Sequence, residues 1–199
     1  MTTTFFLVRH AAHDNVGGFL AGRTEGIRLG PEGRAQAQRL GRRMVQEQFD
    51  AICASPRERA QETAAAIAEA SGEMDVVTDA SLDEVDFGSW QNRSFEDLNA
   101  DAGWQRWNAA RSLAATPAGG TMLDVQHRIV TAMLRLAGED RDGRIVLVSH
   151  ADVIRMAVAY VLGLPIDAWP RFEISPASIT TVVLGPWGGK VLTLNEVVA

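Results

Sequence analysis

Three short apolar runs end in side chains that could do chemistry. Phe5-Phe6-Leu7-Val8 leads into Arg9-His10, Ala51-Ile52-Cys53-Ala54 into Ser55-Pro56-Arg57-Glu58-Arg59, and Arg144 to Val148 into Ser149-His150. Runs that are apolar without alternation fit strands covered on both faces. In open α/β sheets, ligands sit just beyond the carboxyl ends of the strands. Two histidines and several arginines would then meet in one crevice. Singly, each has an ordinary reading: a strand-end histidine packs or caps, and Arg59 is a solvated helix residue. Their coincidence at three strand ends is what points to a site.

The chemistry that suits this set is phosphoryl transfer. Guanidinium groups bind phosphate oxygens through paired hydrogen bonds. A neutral imidazole between arginines can attack phosphorus and carry it covalently. Helices that start after the strands offer backbone N–H groups to an anion. A phosphoryl transition state needs mainly positioning and charge neutralisation, plus an acid for the leaving oxygen. Glu84 in Leu82-Asp83-Glu84-Val85-Asp86-Phe87-Gly88 is the first candidate, Asp83 and Asp86 compete with it, and a solvated turn is the plain alternative.

The elements that must hold these groups follow from periodicity. Pro31–Gln48 carries Ala37, Leu40 and Met44 on one stripe, with Pro31 as first helical residue. Arg57–Ala70, Leu123–Ala137 and the nearly all-apolar Ala151–Leu162 read as further helices. Alternating strands and helices give an α/β fold with a mainly parallel sheet. Ile179–Leu184 and Val191–Leu194 flank Gly185-Pro186-Trp187-Gly188-Gly189, a hairpin signal that adds an antiparallel edge strand. Residues 94–120 read as a helical excursion inside one domain spanning 1–199, with Trp90, Trp104 and Trp107 packing there.

Composition narrows the partners. The 199 residues suffice for one well-filled core. The net charge of −6 argues against a general nucleic-acid binder. One cysteine, Cys53, excludes a disulfide framework and a multi-cysteine zinc site. Of 19 basic residues only Lys190 is lysine, so an anion site must be built from arginine. The start of the chain lacks the pattern of a signal peptide and no run reaches the ~20 apolar residues of a membrane span. The expectation is a cytoplasmic protein with no membrane partner, and a homodimer is left open.

Leu7-Val8-Arg9-His10, Ser55-Pro56 with Arg59-Ala60 and Thr63-Ala64, Leu82, Glu84, Phe87-Gly88 and Trp90, then Val148-Ser149-His150, resemble the histidine phosphatase superfamily, the phosphoglycerate mutase-like group. Gly22, Leu29, Glu32-Gly33 and Gln36-Ala37 are similar to its first loop and helix. The likeness covers about Phe5 to Met156 in the family's order. It implies a three-layer α/β/α, phosphoglycerate mutase-like fold. It implies that His10 is the phosphorylated nucleophile, that Arg9, Arg59 and His150 hold the phosphoryl group, and that Glu84 is the proton donor. Asn15, Gly22, Arg23, His13 and Ala151 would form the substrate-binding set, although Asn15 stands one residue short of the family spacing. No cofactor and no metal are expected.

The sequence also departs from that family. Ala11 and Ala151 replace the glycines that usually follow each histidine, His13 replaces the usual Ser or Thr, and Gly120-Thr121-Met122 replaces Gly-Glu-Ser. The short chain, poor in lysine, favours a phosphatase of a small phosphorylated metabolite over a cofactor-dependent phosphoglycerate mutase. Two further alternatives are a non-catalytic phosphate-binding module and a metal-dependent hydrolase using His10, His13, Asp14, His127 and His150. Arginines beside His10 would repel the cation, and His127 reads as an exposed helix residue.

Overall fold

The computed structural model describes residues 2–14, 16–139 and 142–198. In chain order it runs β1 (Thr3–Arg9), α1 (Pro31–Met44), β2 (Ala51–Ala54), α2 (Glu58–Ala70) and β3 (Val76–Thr78). It continues through α3 (Phe95–Asn99), α4 (Ala102–Ala109), α5 (Met122–Glu139), β4 (Arg144–Ser149), α6 (Ala151–Leu162), β5 (Ser178–Gly185) and β6 (Gly188–Val197). One sheet has the order β3-β2-β4-β1-β5-β6. Strands β3, β2, β4 and β1 are mutually parallel, and β5 and β6 run antiparallel at the other side.

Side-chain alternation divides the core into two layers. Phe5 and Leu7 of β1, with Ile145 and Leu147 of β4, pack with α5 and α6. Phe6 and Val8, with Val146, Val148, Ile52 and Ala54, pack with α1 and α2. Each central strand is therefore apolar on both faces, which is why the runs lack alternation. The α/β/α architecture inferred from sequence is present.

Several boundaries are sharper than the sequence reading. Pro31 does open α1, but the helix ends at Met44 and tightens into a 3₁₀ turn over Val45–Glu47. Helix α6 matches at both ends, closed by Gly163 at φ 64°. The antiparallel part is a full hairpin, β5 paired to β1 and β6 forming the edge. Strand β3 was not foreseen, because it has three residues and two of them are exposed. The excursion holds two short helices, α3 and α4, capped by Ser94 and Asp101. Phe87, Trp90, Trp104 and Trp107 meet edge-on or tilted, with centroids 5.4–6.4 Å apart, each pair contributing about 0.5–1.5 kcal/mol beyond its buried area. These tryptophans are core side chains of the layer that carries α5 and α6.

Candidate active site

Register brings the strand ends level. Arg9 pairs with Ser149, and Ala54 with Val148. The chain continues that ladder one step beyond the strands: His10 N–H donates to Ser149 O (3.0 Å) and Ser55 N–H to Val148 O (2.9 Å). His10, Ser55 and His150 thus leave the sheet side by side. Arg59 enters from the first turn of α2, and Glu84 from the loop after a 3₁₀ turn at Ala80–Leu82. Ser149 Oγ donates to Leu82 O at 2.7 Å and ties that loop to β4.

Hydrogen bonds fix the tautomers of both histidines. His10 Nδ1 lies 2.8 Å from Ala11 O, a group that only accepts, so Nδ1 carries the proton and Nε2 keeps its lone pair. Arg59 Nε donates toward that Nε2 at 3.2 Å. The same guanidinium donates through Nη2 to Gly22 O (2.7 Å) and to His150 Nδ1 (3.2 Å). His150 Nδ1 is therefore an acceptor, and Nε2–H donates to Ser55 Oγ at 2.8 Å. Ser55 Oγ passes its proton's hydrogen bond to Asp83 Oδ1 at 3.3 Å. His10, Arg59 and His150 are almost wholly buried. Burial first, and the Arg59 charge next, hold both histidines well below the usual imidazole range, so each is neutral at pH 7.

Glu84 Oε2 stands 3.6 Å from His150 Nδ1. Burial pushes its carboxyl up to about 7, helped by the Asp152 charge and opposed by Arg59, the Val85 N–H and Arg9. A carboxylic acid that is half protonated near neutrality is suited to donate and retrieve a proton. Its two rivals are otherwise engaged. Asp83 accepts from Ser55 Oγ and the Glu84 N–H and pairs with Arg57 at 3.0 Å. Asp86 accepts from the Gly88 N–H at 3.0 Å, pairs with Arg23 at 3.7 Å and is half-buried.

Arg59 Nη1 and Arg9 Nε are buried donors without a hydrogen-bond partner among the described residues. Arg9 is anchored through Nη1 to Ile174 O at 2.6 Å. Buried guanidinium donors left unpaired are costly unless an anion completes them. Helix α6 also begins here, with His150 as N-cap and no side chain capping its first N–H groups. Apart from the Glu84 carboxyl, the residues that converge are cationic or neutral, and among the described residues no His, Cys, Asp and Glu cluster could hold a metal ion.

The remaining sequence candidates are placed as follows. Gly22 sits at φ +52° with its carbonyl on Arg59, and a Cβ there would lie 2.7 Å from Gln91 Oε1. Arg23 donates to Glu84 O (2.8 Å) and pairs with Asp83 and Asp86, so its guanidinium serves the acid loop. Ala11 and Ala151 both have negative φ, so neither strand end needs a glycine. Ala11 N–H donates to Thr63 Oγ1 at 3.0 Å. His13 lies on the solvent side, its ring 6.2 Å from that of His10. His127 is exposed on α5. Asn15 lies outside the described residues. Sequence reasoning missed Asp152, Gln91 and Arg111. The first two act through a neighbour, and no motif marks them.

The α/β fold gathers these strand-end groups beyond the carboxyl ends of its parallel strands, the place where such sheets hold ligands. A family model, the histidine phosphatase superfamily (branch 1), matches residues 5–197, and the chain belongs to that family. Phosphoglycerate mutase-like protein 4 of Arabidopsis thaliana is 33% identical over 133 residues, which is 65% of this chain and 58% of that protein. A glucosyl-3-phosphoglycerate phosphatase of Mycolicibacterium vanbaalenii is 29% identical over 173 residues, covering 82% of this chain and 76% of that protein. The crystal structure of phosphoserine phosphatase with 3-phosphoglyceric acid from Entamoeba histolytica superposes with a TM-score of 0.88 at 26% identity, covering 98% of this chain and 97% of that one. The expected class, an enzyme of the histidine phosphatase type, agrees with these matches. Among the described residues no helix is long and apolar enough to cross a membrane.

Proposed function

We propose that this chain hydrolyses a small phosphorylated metabolite through a phosphohistidine on His10. The observation that carries the reading is the His10–Arg59–His150 chain, with buried guanidinium donors left over for an anion. His10 Nε2 attacks phosphorus in line and the P–O ester bond breaks. Glu84 gives its proton to the leaving oxygen. Arg9, Arg59 and the first N–H groups of α6 hold the three equatorial oxygens as charge redistributes, and His150, whose one N–H is held by Ser55, orients Arg59 beside them. In the second half, Glu84 takes a proton from water, the water oxygen bonds to phosphorus, and the N–P bond breaks to release phosphate and neutral His10. Asp83, Ser55 and Arg23 position the acid and His150. The reading takes residues 1–199 as one catalytic domain with the excursion at 94–120, working in the cytoplasm.

Mutase chemistry uses the same first half and differs in what attacks the phosphohistidine. The likeness to a phosphoglycerate mutase-like protein keeps this second reading in view. A panel of phosphorylated metabolites, assayed for phosphate release and for 3- to 2-phosphoglycerate conversion, separates the two. Steady phosphate release with negligible isomerisation is expected. Isomerisation that outruns release would reverse the choice. Acid-labile, base-stable label on wild type but not on His10→Ala would identify the intermediate, and equal label on both would remove His10 from the role.

A further inference from the structure

His13 is unused by the mechanism above, and it is the one group near His10 whose chemistry differs in kind. Its Nδ1 lies 2.7 Å from Asp14 O, which only accepts, so Nδ1 is the protonated nitrogen and Nε2 holds a lone pair. Nε2 has no partner among the described residues. The ring is half-buried, 6.2 Å from the His10 ring and 5.7 Å from that of Phe19. Burial first, then Arg59 and Arg9, lower its pKa against the opposing Asp14 carbonyl and carboxylate, which keeps it neutral at pH 7.

The loop that carries His13 is pinned. His13 forms an antiparallel bridge with Leu29, and Gly30 N–H donates to Ala12 O at 3.2 Å. Ala12 N–H donates to Gln36 Oε1 at 3.0 Å. Helix α1 approaches so closely that a Cβ on Gly33 would sit 1.7 Å from Ala12 O. The imidazole is therefore presented from a fixed backbone, which lowers the ordering cost of any contact it makes.

Around His10 the charged neighbours are donors: Arg9 and Arg59, facing where a phosphoryl group would lie. A neutral acceptor beside them is of no use to phosphate oxygens, which also only accept. It fits a donor carried by the rest of the substrate. We propose that His13 Nε2 is a specificity-determining acceptor that selects phosphomonoesters bearing a hydroxyl or ammonium group on the carbon next to the ester carbon. This rests on the phosphatase reading above.

The test uses one scaffold with three substituents: O-phosphoserine (ammonium), 3-phosphoglycerate (hydroxyl) and 3-phosphonooxypropionate (hydrogen). For the wild-type full chain, kcat/KM for the first two should exceed that for the third by about tenfold, the worth of one good hydrogen bond. In His13→Phe, which keeps a ring but no acceptor, the ratio should collapse toward one, and His13→Gln, whose amide oxygen accepts, should restore part of it. Calorimetric binding of the three esters to His10→Ala gives a second readout and should rank them in the same order. An unchanged ratio in His13→Phe, or an equal loss on all three esters, overturns the inference. If no ester turns over yet binding still ranks them through His13, the phosphatase reading fails and this assignment stands. If neither rate nor binding discriminates, this assignment fails.

Discussion

Arg59 Nε lies 3.2 Å from His10 Nε2, the atom whose lone pair the Nδ1 contact with Ala11 O preserves. A guanidinium can only donate, so the contact keeps this nitrogen unprotonated and fixes the orientation of the ring. Through Nη2 the same side chain reaches Gly22 O and His150. One planar group thus sets the relative position of both histidines.

Arg59→Lys should therefore be far from conservative. An ammonium is a point charge on a flexible stem and cannot reach His10, Gly22 and His150 together. Loss of about 10²–10³-fold in kcat/KM is expected, in the range for removing one preorganised donor. Thermal melts should show a folded protein. Activity within threefold of wild type would remove Arg59 from its assigned role.

In the proposed mechanism Glu84 sets the alkaline limb. Its acid form must be present to protonate an alkoxide, so kcat on alkyl phosphates should fall as pH rises through about 7. Asp152 is one of the causes that raise this carboxyl, so Asp152→Asn should move the limb to lower pH. Glu84→Gln should lose about 10²–10⁴-fold on alkyl esters, and much less on p-nitrophenyl phosphate, whose leaving group needs no proton. Equal losses on both ester types would take the acid role away from Glu84.

The framework of this site was legible because its groups follow apolar runs. A strand covered on both faces announces itself by lacking alternation, and the residue after it, as at His10 and His150, needs no long-range information to place. Glu84 was harder. It lies on a loop, and only tertiary contacts, which engage Asp83 and Asp86 elsewhere, set it apart from them. Arg23, expected in the substrate-binding set, also ties the loop of Glu84, and that hydrogen bond spans 61 residues, a pairing no local pattern reports. Asp152 and Arg111 were invisible for the same reason: one sits in a helix, the other in a loop, and burial makes them matter. Strand β3 is too short and too exposed to leave a hydrophobic signal.

Gly22 and Ala11 should respond in opposite ways. Gly22→Ala forces an L residue to φ +52° and drives a Cβ to within 2.7 Å of Gln91 Oε1, displacing the carbonyl that anchors Arg59. A stability loss of about 1–2 kcal/mol and a larger fractional loss of kcat are expected. Ala11→Gly restores the residue common in the family at a position of negative φ, so it should keep wild-type kcat and lose at most about 1 kcal/mol. Urea unfolding and steady-state rates check both. A Gly22→Ala enzyme with normal kcat would mean that Arg59 does not depend on that carbonyl.

Arg111 should matter for stability with a particular pH dependence. It is 4% exposed, its Nη1 lies 2.8 Å from Asp152 Oδ2, and its guanidinium carbon lies 3.6 Å from the Trp169 ring centroid. Burial pushes the Asp152 carboxyl up, but Arg111 and Arg155 outweigh it and hold the carboxyl below its usual range. A depressed folded-state value gives stability that is present above the unfolded carboxyl value of about 3.9 and lost as pH falls below it. Arg111→Met leaves Asp152 with Arg155 alone, so the loss at pH 7 should stay below the about 3–5 kcal/mol of a buried pair left with no partner. The loss should shrink as pH drops below 4, where protonation relieves the carboxylate that has lost one of its two arginines. Denaturant melts of both proteins at pH 7 and pH 3.5 measure this difference. A penalty of equal size at the two values would assign Arg111 to packing against Trp169 and not to its charge on Asp152.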